Sequence, residues 1–307
     1  MRPAVPSYLT FKCDNHLRDG DQCAYCVSKV NAGSQAETVL PAKAWLKFFK
    51  ELPDDYMVDF SGGEPFVYPE FQKLIAKMPK VWNLTTNLNA QVSQLKQMLE
   101  TSKKTGLTGA VTCSLHLREN VKLDEFARKT KMLYRAGLFP VQVNFCAYPR
   151  KDYMDTLPLL QAYFEKVGVH FHVEPFVASP EKYVYTPEFK AFVEQYYQND
   201  HRAYGWDTEL PKNKVCNAGC KSAYFIATNT GDCYRCNMHF FYTPEADRKI
   251  GNGYLGNFVD GTFKFLKEAT ICDMPCSYGN ERENCSIYLP DEKRFYFVGR
   301  SGRAGYC

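Results

Sequence analysis

The 307-residue chain lacks an apolar stretch near its start: MRPAVPSYLTFKC has no hydrophobic segment of the kind a secretory signal needs. No run of 18 apolar residues occurs anywhere, which argues against a helical membrane span. An excess of either charge is missing too. A formal net charge of +4 is too weak to argue for a nucleic-acid partner, and a pair such as Lys103-Lys104 reads as a solvated helix face. There is no low-complexity tract and no internal repeat, so a solenoid is not expected. With no sign of an oxidising compartment, the expected location is the cytoplasm, and a disulfide framework is not expected.

What the chain does have is cysteine: 13 of them, beside a hydrophobic fraction of 45%. Its length suits one large α/β domain with a smaller appendage. Cytosolic cysteines that cluster more often bind metal or act in redox chemistry than form disulfides. The first group is Cys13, Cys23 and Cys26, in KCDNHLRDGDQCAYC, and it is followed by Asp59-Phe60-Ser61-Gly62-Gly63-Glu64-Pro65. Three thiolates are one short of the four that fill a [4Fe–4S] cluster, so one iron would stay open for chemistry. In the second segment, glycines let the backbone approach a ligand closely and a carboxylate can accept from an ammonium group.

On these two segments the chain resembles the radical S-adenosylmethionine (SAM) family. The resemblance implies a [4Fe–4S] cluster on Cys13, Cys23 and Cys26, with S-adenosyl-L-methionine chelating the open iron. It also implies that Gly62, Gly63 and Glu64 grip the SAM amino group at the end of the second barrel strand, and that Tyr25 lies near the adenine. The spacing departs from the common one: nine residues separate Cys13 and Cys23, where the family usually has three. A longer loop still closes, because the entropic cost grows only logarithmically with its length.

Along the first two-thirds, β-rich runs alternate with helical stretches. Strands are predicted at Tyr8–Lys12, Met57–Phe60, Val81–Thr86, Gly109–His116, Val141–Ala147 and His170–Phe176, and helices near 40–52, 68–78, 90–104, 121–136 and 151–166. This alternation predicts parallel strands joined by right-handed crossovers. An open doubly wound sheet would read the same way; the resemblance favours a partial (β/α)6 TIM-like barrel. Either arrangement puts ligands at the carboxyl ends of the strands. The expected division is 1–177 as barrel, 178–215 as connector with a helix over Glu188–Gln198, and 216–307 as a small Cys-rich α+β domain. The segment Ala223–Cys236 reads as a hairpin turning at Gly231.

Further polar positions fall at predicted strand ends. The resemblance implies that Ser114 and Asn87 bind the SAM carboxylate or ribose hydroxyls, while Asn87 also reads as a cap on the next helix. His170, His172 and Glu174 alternate on one predicted strand, and read either as a polar barrel lining or as a divalent-metal face. Cys113 and Cys146 lie among apolar neighbours and read as inert buried thiols.

The C-terminal region holds Cys216, Cys220, Cys233, Cys236, Cys272, Cys276, Cys285 and Cys307, enough thiols for two [4Fe–4S] clusters. Together with Tyr254-Leu255-Gly256-Asn257-Phe258, these resemble a SPASM domain or its shorter twitch variant, which hold auxiliary clusters. One or two auxiliary [4Fe–4S] clusters are therefore implied. Cys216-x3-Cys220-x12-Cys233-x2-Cys236 also suits a structural zinc with four cysteine ligands.

The whole resembles a radical SAM enzyme in which SAM is cleaved reductively and the resulting 5′-deoxyadenosyl radical abstracts hydrogen from substrate. Oxidation, crosslinking or rearrangement of a peptide or protein side chain would follow, with modification of a small polar molecule such as an amino sugar as the alternative. Only 12 residues precede Cys13, so a peptide leader-binding domain in cis is not expected. The resemblance implies an electron donor such as flavodoxin or ferredoxin, and Asp232 is a candidate proton acceptor. Readings of another class are a non-catalytic iron–sulfur electron carrier and a zinc-stabilised binding protein.

Overall fold

The computed structural model describes residues 3–13, 26, 38–117, 122–175, 177–179, 182–183, 185–196, 214–272, 274, 286–289, 294–298 and 304–306. Cys23, Tyr25, Cys276, Cys285 and Cys307, five of the site positions expected from the sequence, lie outside these residues.

Six parallel strands form the frame: β1 (Ala4–Tyr8), β2 (Met57–Ser61), β3 (Trp82–Thr86), β4 (Thr108–Leu115), β5 (Val141–Ala147) and β6 (His170–Pro175). Helices α1 (Ala42–Glu51), α2 (Phe71–Ile75), α3 (Val92–Thr105), α4 (Leu123–Ala136) and α5 (Lys151–Val167) connect or follow them. The βα alternation predicted from sequence is thus what folds. One strand is displaced: β1 ends at Tyr8, where the sequence placed its start. All five of its residues are buried. With both faces covered, a strand shows no alternation to read.

The strands sort their residues by period two. Val58 and Phe60, Val111 and Cys113, Val143 and Phe145, Phe171 and Val173 belong to the main apolar core, where the helices pack. Their alternates therefore occupy the other face. Those alternates are polar: Asp59, Asn83, Thr112, Gln142, Asn144, His170 and His172. Asn83 Nδ2 donates to Asp59 Oδ1 at 2.6 Å and Gln142 Nε2 to Thr112 Oγ1 at 3.0 Å, so strand neighbours satisfy one another across this face.

The sheet continues past β1. Strand β10 (Ile226–Ala227) pairs parallel with β1, with Ala227 opposite Ser7, and β11 (Asp232–Tyr234) and β12 (Tyr254–Asn257) follow antiparallel. The full order is β12-β11-β10-β1-β2-β3-β4-β5-β6. Between β6 and β10 lie β7 (Val177–Ser179), β8 (Lys182–Tyr183), α6 (Pro187–Glu194) and β9 (Lys214–Cys216). After β11 come α7 (Asn237–Phe241) and, beyond β12, β13 (Thr270–Cys272), which pairs antiparallel with β9. Strands β14 (Ser286–Leu289), β15 (Arg294–Val298) and β16 (Ala304–Tyr306) form a separate antiparallel sheet.

The Cys-rich region therefore shares the barrel's sheet and its core. Phe258 stacks on Phe48 of α1 at 4.2 Å, and Phe225 meets Phe48 edge-on at 6.2 Å. Tyr56, 1% exposed, donates through its hydroxyl to Ala223 O at 2.7 Å. A second core joins Tyr8 and Phe11 to Tyr234, Phe240 and Phe241. Among the described residues, no helix is long and apolar enough to cross a membrane.

The Tyr56 bond yields a stability prediction. Tyr56→Phe keeps the ring packing but leaves the Ala223 carbonyl unsatisfied in the interior, which costs about 1–3 kcal/mol. Urea unfolding should show a lower midpoint with an unchanged slope; an unchanged midpoint would mean that this bond does not hold the two regions together.

Candidate active site

The Gly62-Gly63-Glu64 segment follows β2 at its carboxyl end, where the sequence placed it. Gly62 adopts φ 115°, a conformation that a side chain would strain. Gly63 N donates to Thr10 O at 2.9 Å and Glu64 N to Lys12 O at 2.7 Å. A Cβ on Gly63 would lie 2.2 Å from Lys12 O, so only glycine permits this approach. The segment is thereby stitched to the residues that lead into Cys13.

Glu64 is 1% exposed, and its carboxylate is well supplied with donors. Oε1 accepts from Thr86 Oγ1 at 2.8 Å and from Phe66 N at 3.1 Å, and Oε2 accepts from Asn87 N at 2.7 Å. A buried carboxylate needs such bonds to offset its desolvation. Asn87 carries the chain of contacts onward, since its Nδ2 donates to Cys13 O at 3.2 Å. Its Oδ1 accepts from Asn89 N at 2.9 Å in a local turn, while the next helix is capped by Gln91 with Gln94 and not by Asn87. Leu88, the next residue, sits at φ 59°, and Lys129 Nζ of α4 holds its carbonyl at 2.9 Å while pairing with Glu125 at 2.7 Å.

Ser114 is half-buried on β4, in register with Asn144 and through it with His172. Asn144 Oδ1 is buried with no hydrogen-bond partner among the described residues, and so is His170 Nε2. Burial, with the neighbouring His172 ring 6.4 Å away, lowers the His170 pKa to about 4. His170 is thus a neutral hydrogen-bonding group on the polar face. Among the described residues, no three His, Cys, Asp or Glu side chains are grouped to hold a metal ion. The thiols of Cys113 and Cys146 lie on β4 and β5; Cys113 is fully buried, and burial raises its pKa to about 12.

The second cluster of interest lies at β9, β11 and β13. A hydrogen bond from Cys272, helped by the Ala218 amide and the Arg235 guanidinium, lowers the Cys216 pKa to about 6 against the effect of burial; the same bond raises that of Cys272. Arg235 is fully buried, and its guanidinium donates to Ala218 O, Cys216 O and Thr270 Oγ1 at 3.0, 2.9 and 2.7 Å. His239 Nε2 lies 3.4 Å from Cys272 Sγ. Cys236 belongs to the second core, with Cys216 packed against it.

Cys233 stands apart from the other described thiols expected as ligands. It belongs to the main core and is fully buried there, and burial pushes its thiol well above its usual range. Cys233 and Tyr234 are adjacent on β11 but enter different cores, and Tyr234 and Cys236 lie together in the second. The four-cysteine zinc site that needs both Cys233 and Cys236 is therefore not assembled. Cys220 is buried, forms an isolated bridge with Leu266, and lies near enough to Cys216 and Arg235 to feel their charges.

Asp232 is 1% exposed and accepts from Lys249 Nζ, Tyr254 OH, Asn257 Nδ2 and Thr230 Oγ1 at 2.7, 2.8, 2.9 and 2.9 Å. Burial pushes its pKa up, but these donors outweigh burial and lower it. It knots the β11–β12 hairpin rather than standing open to a proton. His239 and Arg235 had no signal in the sequence that singled them out.

Two predictions follow from this geometry. Gly63→Ala should cost about 2–4 kcal/mol, from overpacking and lost backbone bonds. Gly251→Ala, where a Cβ meets nothing within 4 Å, should be near neutral in the same denaturant series. Equal costs at the two sites would refute the close approach. The second concerns pH. A histidine whose folded pKa lies below its unfolded value of about 6.5 penalises folding as it becomes protonated. Stability is full above that value and falls as pH drops from 6.5 towards 4, by up to on the order of 3 kcal/mol for this residue. The pH dependence of unfolding over this window should flatten in His170→Asn; an unchanged slope would refute the assignment.

No protein-family model matches the chain. Solved structures do. SuiB of Streptococcus suis bound to S-adenosylmethionine superposes with a TM-score of 0.55 at 15% identity, over 82% of this chain and 66% of that chain. SuiB bound to the precursor peptide SuiA gives a TM-score of 0.55 at 15% identity, over 86% of this chain and 65% of that chain. This chain thus spans a little under two thirds of the SuiB length. At this identity the likeness is one of fold, and the chain carries the α/β partial-barrel fold that its resemblance to the radical SAM family implied.

Proposed function

We propose that the chain is a radical SAM enzyme acting on a peptide or protein side chain. The observation that carries this reading is the clasp between Gly62–Glu64, Asn87 and the backbone of Lys12 and Cys13, at the carboxyl ends of parallel strands. Cys13, Cys23 and Cys26 would hold the [4Fe–4S] cluster. When bound, that cluster supplies the electron that cleaves SAM reductively.

The chain's own residues would do the positioning. Glu64 fixes Asn87 and Thr86 through its carboxylate, so its part is to shape the rim. The Gly62-Gly63 backbone and the Asn87 and Ser114 side chains would contact SAM, with Tyr25 beside the adenine. Asn144 Oδ1 and His170 Nε2, buried on the polar face with no partner among the described residues, would orient substrate through neutral hydrogen bonds. At the β9–β13 corner, the linked thiols of Cys216 and Cys272 would supply two ligands of an auxiliary cluster, which thiols from the C-terminal segment would complete. The buried Arg235 cation suits an anionic thiolate centre there. A peptide substrate is favoured because SuiB, of like fold, is seen with a precursor peptide. A flavodoxin or ferredoxin would deliver electrons.

The test is SAM cleavage. Protein reconstituted anaerobically with iron and sulfide, then reduced with dithionite, should form 5′-deoxyadenosine. Cys23→Ala and Cys26→Ala should each abolish it. Zinc in place of iron, or cleavage that survives both substitutions, would overturn the reading.

A further inference from the structure

His239 stands outside every motif that the sequence offers, yet its surroundings are specific. It lies on the short helix α7 that follows Cys236, and it is 5% exposed. Its Nε2 meets Cys272 Sγ at 3.4 Å. The other side of the ring rests on Gly253, where a Cβ would fall 2.2 Å from Nδ1 and 2.3 Å from Cγ; the three atoms nearest to that Cβ all belong to His239. Gly253 is not at a left-handed φ, so its lack of a side chain serves the ring rather than the backbone. The protein therefore leaves a slot for this imidazole and brings its Nε2 to the Cys272 sulfur.

We propose that His239 is a positioning residue of the auxiliary centre, donating a hydrogen bond from Nε2–H to the Cys272 sulfur and so raising the reduction potential of that centre. This rests on the reading that Cys272 ligates an auxiliary iron–sulfur cluster. A ligating cysteine is a thiolate and can only accept. The ring must then hold its proton on Nε2, in the neutral tautomer or the cation. Reduction adds one negative charge to the cluster and its sulfurs. A donor on a sulfur stabilises the reduced form more than the oxidised one, and such bonds are one of the protein's means of setting a cluster potential. Arg235 acts in the same sense through Cys216, which makes β9 and β13 a corner where positive charge and a donor converge on two linked thiols.

The experiment uses the full chain carrying Cys23→Ala and Cys26→Ala, which removes the SAM-binding cluster and leaves the auxiliary signal alone. Iron content and the midpoint potential, followed by electron paramagnetic resonance during a redox titration, are compared across variants. His239→Leu should keep the iron and shift the midpoint to a more negative value. His239→Gln, whose amide can donate from about the same place, should restore it towards the parent. Gly253→Ala, which displaces the ring without touching the thiol, should shift it in the same direction as His239→Leu. Combining the two should add nothing further. A midpoint unmoved by His239→Leu overturns the proposal. Iron lost in His239→Leu overturns it as well, because His239 would then be a ligand. Absence of iron in the parent overturns the auxiliary centre itself, a failure distinct from that of His239.

Discussion

The rim of the barrel depends on one buried carboxylate. Glu64 is almost completely removed from water, and it persists because the Thr86 hydroxyl and two backbone amides donate to it. A charge desolvated without such donors would cost more than the local fold could offset. The bonds join the ends of β2 and β3, and they fix the turn at Asn87 and Leu88. That turn is strained, with Leu88 at φ 59°, and Lys129 reaches across from α4 to hold its carbonyl. Asn87 in turn reaches the carbonyl of Cys13. The backbone at the first cysteine is therefore held by residues from two strand ends, with a helix behind them.

The opposite edge of the sheet is governed by the two-sidedness of β11. Cys233 points into the main core and Tyr234 into the second, so one short strand binds the Cys-rich region to the barrel from both faces. Asp232, at the start of the same strand, takes four donors and stiffens the hairpin to β12. Arg235, just past its end, ties Cys216, Ala218 and Thr270 into one corner. The sites at the barrel rim and at the thiol corner are consequently parts of one framework, with the aromatic cluster of Tyr8, Phe11, Phe240 and Phe241 packed between β1 and α7.

Much of this was legible in the sequence, for reasons that particular residues make plain. Strands β2 to β6 could be found because each alternates an apolar helix-facing residue with a polar one, as in Val58-Asp59-Phe60 and Phe171-His172-Val173. Strand β1 could not be placed, because all of its residues are buried and the alternation is absent. The role of Gly63 was legible as a close approach, although its partner, the Lys12 carbonyl, was not. Cysteine spacing alone could not separate Cys233 from Cys236. That distinction depends on which core each enters, Cys233 from β11 and Cys236 from the cap of α7, and tertiary packing alone decides it. His239 was invisible for a similar reason: its thiol partner lies 33 residues away and meets it through tertiary structure alone.

The polarity of the inner face argues for what the barrel is for. Closed barrels of this type fill their interior with layers of branched apolar side chains, and stability comes partly from that packing. Here the interior positions of β2 to β6 include amides, hydroxyls, imidazoles and the carboxylate of Asp59. Some pair with one another across strands, as Asp59 with Asn83 and Thr112 with Gln142. Asn144 Oδ1 and His170 Nε2 find no partner among the described residues, and an unsatisfied buried group costs about 1–3 kcal/mol. The cohesion must then come from the outer layer, where Trp45, Phe49, Phe60, Phe71 and Trp82 pack ring against ring. A fold that draws its stability from the outside can carry costly hydrogen-bonding groups within.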